Sequence, residues 1–396
     1  MYTGPNTVND GLVFGYDTGH GVADNNTATR FYPGEPTVNL LNYDTTMPTW
    51  PSNSSNMATL TSKTSARSFT VIGTCNVPGA MTFVYPSITT NTAFHTISAT
   101  FTNNSTETSN VALYIRGKNN DSSTVSQSQT TTIQPGQSIR KTLIGNILTV
   151  NGGYTAAVGV WSHGTSGQVN MNVTDIQFEE TTHATPFVDG TRSSTQSLID
   201  LTRATNIDVS TLSFDSTGQP IFDGTDDYVD LPSNSDVLTT NGSYTLSAWL
   251  KPDGSSWGSN AIPLYNTYNQ GTGNFGIWHH FGHDNILRWR HRGASYTYGD
   301  LSGIGLVANT WQLTTITWDG TTLKLYKNGV LQNSTTSPSD FARSTGAPRI
   351  GAIAIRSSGL FYCWNGSISR HEVYDRALTL EEIKQNFNAY KNKFNI

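Results

Sequence analysis

The residues able to do chemistry fall into three groups, and their spacing restricts what each can do. Asp223, Asp226, Asp227 and Asp230 lie within residues 221–232, IFDGTDDYVDLP. Asp223 opens an Asp-Gly turn, and the others straddle a short strand. Two readings stand: carboxylates that cap a turn and a strand end, or Ca2+ ligands at Asp223, Asp226 and Asp227. Carboxylates and carbonyls at a turn suit a hard cation, although this spacing is not that of an EF-hand. A retaining glycosidase built on a strand needs carboxylates at alternate positions, as in E-x-D-x-x-E, so that all enter one cleft. No such run occurs. Glu179 and Glu180 are adjacent and belong to opposite faces. His279, His280, His283 and His291, near Asp284, hint at zinc. Neighbouring His279 and His280 alternate across a strand, however, and no further ligand stands at a standard spacing, which favours surface or groove histidines. There is no G-x-S-x-G elbow, phosphate loop or dinucleotide fingerprint. The catalytic set is empty, and the chain is not expected to be an enzyme.

The third group is aromatic and basic. Trp257, Tyr265, Tyr268, Trp278, Trp289, Arg290, Arg292, Tyr296 and Tyr298 crowd one stretch. Aromatic faces stack on sugar C–H surfaces, and arginine hydrogen-bonds hydroxyls and acidic sugars. Trp257, Tyr268, Trp278, Trp289, Arg290, Arg292 and Tyr296 are therefore the candidate glycan-binding set. The competing reading is cross-strand pairing of rings in a sandwich. Trp249 and Trp318 sit in core-strand patterns and are read as core.

These groups need a scaffold, and residues 311–332, WQLTTITWDGTTLKLYKNGVLQ, supply its centre. Asp319-Gly320 and Asn328-Gly329 are the dipeptides that accept positive φ in tight hairpins. Leu323 and Leu325 alternate with Lys324 and Tyr326, and Ile316 shares a face with Trp318. This antiparallel meander needs a second sheet to cover it. The stretch resembles the central meander of concanavalin A-like domains of the laminin G type. Residues 221–232, 244–253 (YTLSAWLKPD) and 364–383 (WNGSISRHEVYDRALTLEEI) are similar to that family's opening strand, next core strand, and closing strand with terminal helix. The resemblance covers about residues 191–396. Many relatives carry Ile-Asp-Glu after the Gly of the closing motif, whereas this chain reads Gly366-Ser367-Ile368-Ser369, which weakens what the resemblance implies for calcium. In the helix, Thr379 and Glu382 form a capping box, and Leu380, Ile383, Phe387 and Tyr390 make one apolar stripe over 380–394.

Residues 11–19, GLVFGYDTG, resemble the first strand of phage-type laminin G domains. A long segment separates them from the remainder of that domain, so the reading is an insertion; the alternative is a detached N-terminal arm. The intervening region reads as short strands at 68–72, 81–85, 94–101, 111–115, 130–133, 138–142, 154–161 and 169–178, punctuated by turns such as Gln134-Pro135-Gly136. It favours a sandwich or jelly roll. Its ends, residues 38–50 and 173–188, look like those of carbohydrate-binding jelly rolls in phage fibre proteins. The expected fold is all-β, with two β-sandwich (jelly-roll) domains, the C-terminal one concanavalin A-like with a short helix. The expected division is 1–38 as arm and first strand, 39–182 as the inserted sandwich, and 183–396 as the concanavalin A-like domain.

The 396 residues are 35% hydrophobic and 13% charged, with a formal charge of -5. That balance gives no electrostatic support for nucleic-acid binding. Cys75 and Cys363 fall in different expected domains, which excludes a disulfide framework. No apolar run spans a bilayer, so membrane insertion is not expected. The N-terminus lacks the basic start and apolar core of a Sec signal. The resemblances imply a bacteriophage virion protein: a fibre, adhesin or head-decoration subunit, assembled in the host cytoplasm and extracellular in the particle. Its expected partners are other virion proteins, copies of itself and host-surface polysaccharide. Other readings are a secreted bacterial carbohydrate-binding protein and a glycan-cleaving enzyme.

Overall fold

The structure is a computed structural model. It describes residues 6–18, 22–23, 30–31, 34–41, 59–65, 68–74, 82–84, 94–118, 124–145, 155–163, 166–188, 190–202, 204–215, 218–231, 242–254, 276–281, 286–292, 298–336, 348–355, 359–361 and 363–396. Strands dominate it, and the protein is an all-β chain of sandwich type with a short C-terminal helix. The chain divides into two compact units: residues 1–36 together with 193–396, and residues 37–192.

The inserted unit has a five-stranded and a four-stranded antiparallel sheet. Spatial order in the first is Ser138–Gly145, His95–Asn103, Gln168–Glu179, Ser68–Thr74, Thr59–Ser65; in the second it is Thr124–Ile133, Ser109–Lys118, Thr155–Ser162, Thr82–Val84. Alternation explains the core. Phe69, Val71, Ile97, Ala99, Phe101, Val169, Met171 and Val173 stand at every second position and are buried together with Val111, Leu113, Val158 and Val160. Thr59–Ser65 is a strand that the sequence pattern did not single out; it has no alternation of apolar residues.

This unit begins and ends at 37 and 192, where the sequence placed 39 and 182. Residues 183–192 return onto it. Thr37–Val38 pairs with Thr191–Arg192. Buried Glu179 accepts from Thr37 Oγ1 and Thr185 Oγ1, each at 2.8 Å, and from the Thr185 N–H at 2.9 Å. Asn39 donates to the carbonyls of Ile176 and Val188. Polar side chains, not an apolar stripe, close the seam, which is why the hydropathy pattern does not mark it.

In the other unit an eight-stranded sheet is organised around Asn365–Tyr374. Tyr244–Pro252 lies along one edge of this strand. Two strands distant in sequence share its other edge end to end: Pro220–Asp223 pairs with residues 365–367, and Leu12–Asp17 with residues 370–374. Thr18 stitches the joint, its hydroxyl 2.6 Å from Gln219 Oε1 and 2.9 Å from Ser369 Oγ. Phe14 and Tyr16 are buried in the same core as Phe222, Trp318, Trp364 and Ile368.

The meander is Gln312–Trp318, Thr322–Lys327 and Val330–Thr336. Asn328 and Gly329 have φ of 51° and 75°, the left-handed pair that a tight hairpin needs. One face of the sheet buries Leu246, Ile316, Leu323 and Leu325 against Leu287, Leu301 and Ile304 of a three-stranded sheet. The other face carries the helix.

That helix runs Leu380–Tyr390, shorter than the 380–394 of the apolar stripe, and 391–395 follow as turns. Phe394 leaves the helical path to stack on Trp249, at 4.5 Å between ring centres, and to pack tilted against Trp311 at 4.6 Å. The capping box forms at Thr379 and Glu382. Arg376 adds two hydrogen bonds to the Glu382 carboxylate, at 2.9 and 2.6 Å, and these hold its pKa down at about 2. The depressed value means stability that is present above the ordinary carboxylate range and lost as pH falls toward 2. Because the pair is partly solvated, the expected contribution is on the order of 1 kcal/mol. Helix melting between pH 5 and 2, followed by hydrogen exchange at residues 380–390, should have a pH dependence that E382Q flattens.

Candidate functional site

The three-stranded sheet consists of Gly276–Phe281, Ile286–Arg292 and Tyr298–Gly305. It is held against the meander from behind. Asn333 Nδ2 donates to Ser302 O at 2.6 Å, and Lys327 Nζ to Gly305 O at 2.6 Å. Between them Gly303, at φ 149°, forms the bulge that shifts register after Leu287.

Register sorts the candidate residues into two rows. Trp278 pairs with Arg290 and Arg290 with Asp300. His280 and Ser302 flank Arg288, and Gly276 and Tyr298 flank Arg292. Trp289 belongs to the alternate row: it pairs with His279 and Leu301 and stands two residues from Leu287. Leu287 and Leu301 are buried in the core. Trp257, Tyr268 and Tyr296 of the glycan set lie outside the described residues, as do Tyr265, His283 and Asp284. Sequence reasoning passed over Arg288, although its period-two spacing with Arg290 and Arg292 in ILRWRHR signals a shared row.

The acidic group splits. Asp230 forms an ion pair with Arg349 at 3.0 Å, and the Arg349 guanidinium lies 4.6 Å over the Tyr228 ring. Asp223, Asp226 and Asp227 stay together, with one carboxylate oxygen from each within 4.8 Å of the others. The turn-capping bonds are present: Asp223 Oδ1 accepts from the Thr225 N–H at 2.7 Å, and Asp227 Oδ2 from the Asp223 N–H at 2.8 Å. Gly224 supplies the positive φ, 81°, that this turn requires. Burial raises the Asp227 carboxyl above its ordinary value; the charges of Asp223 and Asp226 add to this, and the hydrogen bond from Asp223 opposes it. The neighbouring Cys363 thiol is pushed up to about 11 by burial and the same carboxylates, and it donates to Thr225 O at 3.0 Å. It is therefore a poor nucleophile. Calcium takes six to eight oxygens, so these carboxylates would need carbonyls or water to complete a sphere.

Among the described residues, no alternating carboxylate run faces this sheet. The register brings arginine, histidine, tryptophan, tyrosine and serine to successive positions of neighbouring strands.

Residues 223–384 match the laminin G-type family described as the concanavalin A-like lectin/glucanases superfamily. That segment is similar to lectin-like domains. It holds the acidic turn, the three-stranded sheet and the meander. No curated protein matches the chain. Among solved structures it is similar to the binding domain of Paraclostridial Mosquitocidal Protein 1, at 18% identity, 49% of this chain, 50% of that chain and a TM-score of 0.41. It is also similar to the botulinum neurotoxin serotype D binding domain, at 17% identity, 50% and 49% coverage and a TM-score of 0.40. The serotype G binding domain gives 16%, 48% and 48%, and 0.39. The chain spans about half the length of these structures.

Proposed function

We propose that this protein is a non-enzymatic subunit of a bacteriophage particle, a fibre, adhesin or head decoration, whose lectin-like domain contacts host-surface polysaccharide. The observation that carries the binding reading is the row of Trp278, Arg288, Arg290, Arg292 and Tyr298. Arginine is almost never fully buried without a partner, so a row with three of them belongs at the surface. Rings beside guanidinium groups are a common basis for contact hot spots. In this reading Trp278 is a contact residue, and Trp289, in the row of Leu287 and Leu301, is core. The virion setting rests on the resemblance of residues 11–19 and of the inserted unit to phage proteins, with neighbouring subunits and other virion proteins as further partners.

Trp278→Ala should abolish binding to host cells or an array of their polysaccharides, with thermal stability kept within about 1 kcal/mol. Trp289→Ala should instead cost about 3–5 kcal/mol. Reducing ends should not appear in either incubation. The adhesin reading fails if wild-type protein binds neither cells nor glycans and both substitutions only destabilise. Labelling of purified particles with antibody to this chain tests the virion setting separately.

A further inference from the structure

A sandwich has open sheet edges, and a soluble protein has to guard them. Charges, bulges, proline or brevity normally do so, because an unguarded edge pairs with another strand. Among the described residues the five- and four-stranded sheets of the inserted unit have four edge strands. Ser138–Gly145 carries Arg140 and Lys141. Arg140 lies across its own sheet, donating to Ser98 Oγ at 2.7 Å and to Asp175 O at 3.1 Å. Thr59–Ser65 carries Lys63 and has two register shifts. Thr82–Val84 is only three residues long.

Thr124–Ile133 has none of these devices. Its ten residues, TVSQSQTTTI, include no charge and no proline. It pairs with Ser109–Lys118 in unbroken register, from Thr124↔Lys118 to Ile133↔Ser109. Residues 127–130 are exposed, and no described strand pairs with its outer edge.

We propose that this edge pairs antiparallel with the same strand of a second copy of the chain, with Gln129 on the two-fold axis. A second copy is favoured over an unrelated strand because the edge is its own complement. About that axis Ser128 of each copy meets Thr130 of the other, and cross-strand hydroxyl pairs of this kind are favourable. The strand brings no like charges together, and its two-fold contact is the closed arrangement most homo-oligomers adopt. A single strand pair buries an area at the low end for specific interfaces, about 1,000 Å² or less, so the dimer should be reversible. This inference is independent of the glycan reading, which concerns the other unit.

The test is sedimentation velocity of the full chain across a concentration series. Wild type should pass from monomer to dimer. Thr130→Lys should weaken the dimer at least tenfold with an unchanged melting temperature. The pair S128E/T130K should restore it, because residue 128 of one copy then meets residue 130 of the other with opposite charge. A monomer at every concentration, a dimer indifferent to Thr130→Lys, or no rescue by the second substitution would each overturn the proposal. Should Thr130→Lys not fold, hydrogen exchange of wild type decides. Amide protection in residues 124–133 that rises with concentration supports the pairing, and protection independent of concentration refutes it.

Discussion

Arg370→Ala is expected to destabilise the 1–36/193–396 unit by about 3–5 kcal/mol, the cost of leaving buried carboxylates without their cation. Arg370 is fully buried in the strand Asn365–Tyr374. One of its terminal nitrogens donates to Asp17 Oδ2 at 2.7 Å and to the Tyr390 hydroxyl. The other reaches Glu372 Oε1 at 2.5 Å and Thr7 Oγ1 at 3.2 Å. The Tyr390 hydroxyl in turn donates to Asp17, and its ring lies under the guanidinium at 4.5 Å. One side chain thus ties the first strand, the closing strand and the C-terminal helix. A lysine does not replace it: Lys393 Nζ stands 3.9 Å from Asp17, a point charge without the planar fork that serves both carboxylates. Calorimetry should show the loss in the transition of this unit while that of residues 37–192 stays in place. Neutralising the set together, as R370M/D17N/E372Q, should recover most of it, since a buried ion network exchanged for neutral groups is often no less stable. If Arg370→Ala alone costs under about 1 kcal/mol, the network is solvated and does not hold the helix.

The network also shows where sequence reading stopped. Strands, hairpins and the capping box were legible because each is written in a local period or dipeptide: Asn328-Gly329 names its turn, and Leu323 and Leu325 name their face. Asp17, Glu372 and Tyr390 have no local signature. Period-two alternation places residue 370 on a strand but says nothing of what covers it. The outer face of that strand, with Arg370, Glu372 and Tyr374, is buried because the helix and residues 6–8 lie over it, a cover that no local pattern in residues 365–374 announces. The same limit applied to the acidic cluster. Composition joined Asp230 to Asp223, Asp226 and Asp227, and the structure gave Asp230 to Arg349, over a hundred positions away. In the aromatic stretch, alternation alone could have split Trp289 from Arg288, Arg290 and Arg292; the register with Leu301 says which row is the core side.

Replacing residues 37–192 by a short Gly/Ser linker is expected to leave the first unit folded, whereas a chain of residues 193–396 alone is expected not to fold. The ends to be joined are already adjacent, since the Gly34 N–H donates to Ser197 O at 2.9 Å, so a few residues suffice. Closing so short a loop costs little compared with what Leu12–Asp17 contributes. Without that strand, residues 370–374 lose their edge partner and become an open edge inside the sheet. The core loses Phe14 and Tyr16, each worth about 3–5 kcal/mol when removed from a packed interior. Arg370 loses Asp17 and Thr7, and Tyr374 and Asn386 lose the backbone of Val8, to which they bond at 3.0 and 2.9 Å. Two aromatic side chains and a split ion network together reach the whole stability of an ordinary domain, about 5–15 kcal/mol. The linked chain should therefore melt cooperatively and the 193–396 chain should not. If 193–396 alone unfolds cooperatively at the same midpoint as the linked chain, the first strand is an appendage of the sheet, and residues 37–192 follow a detachable N-terminal arm.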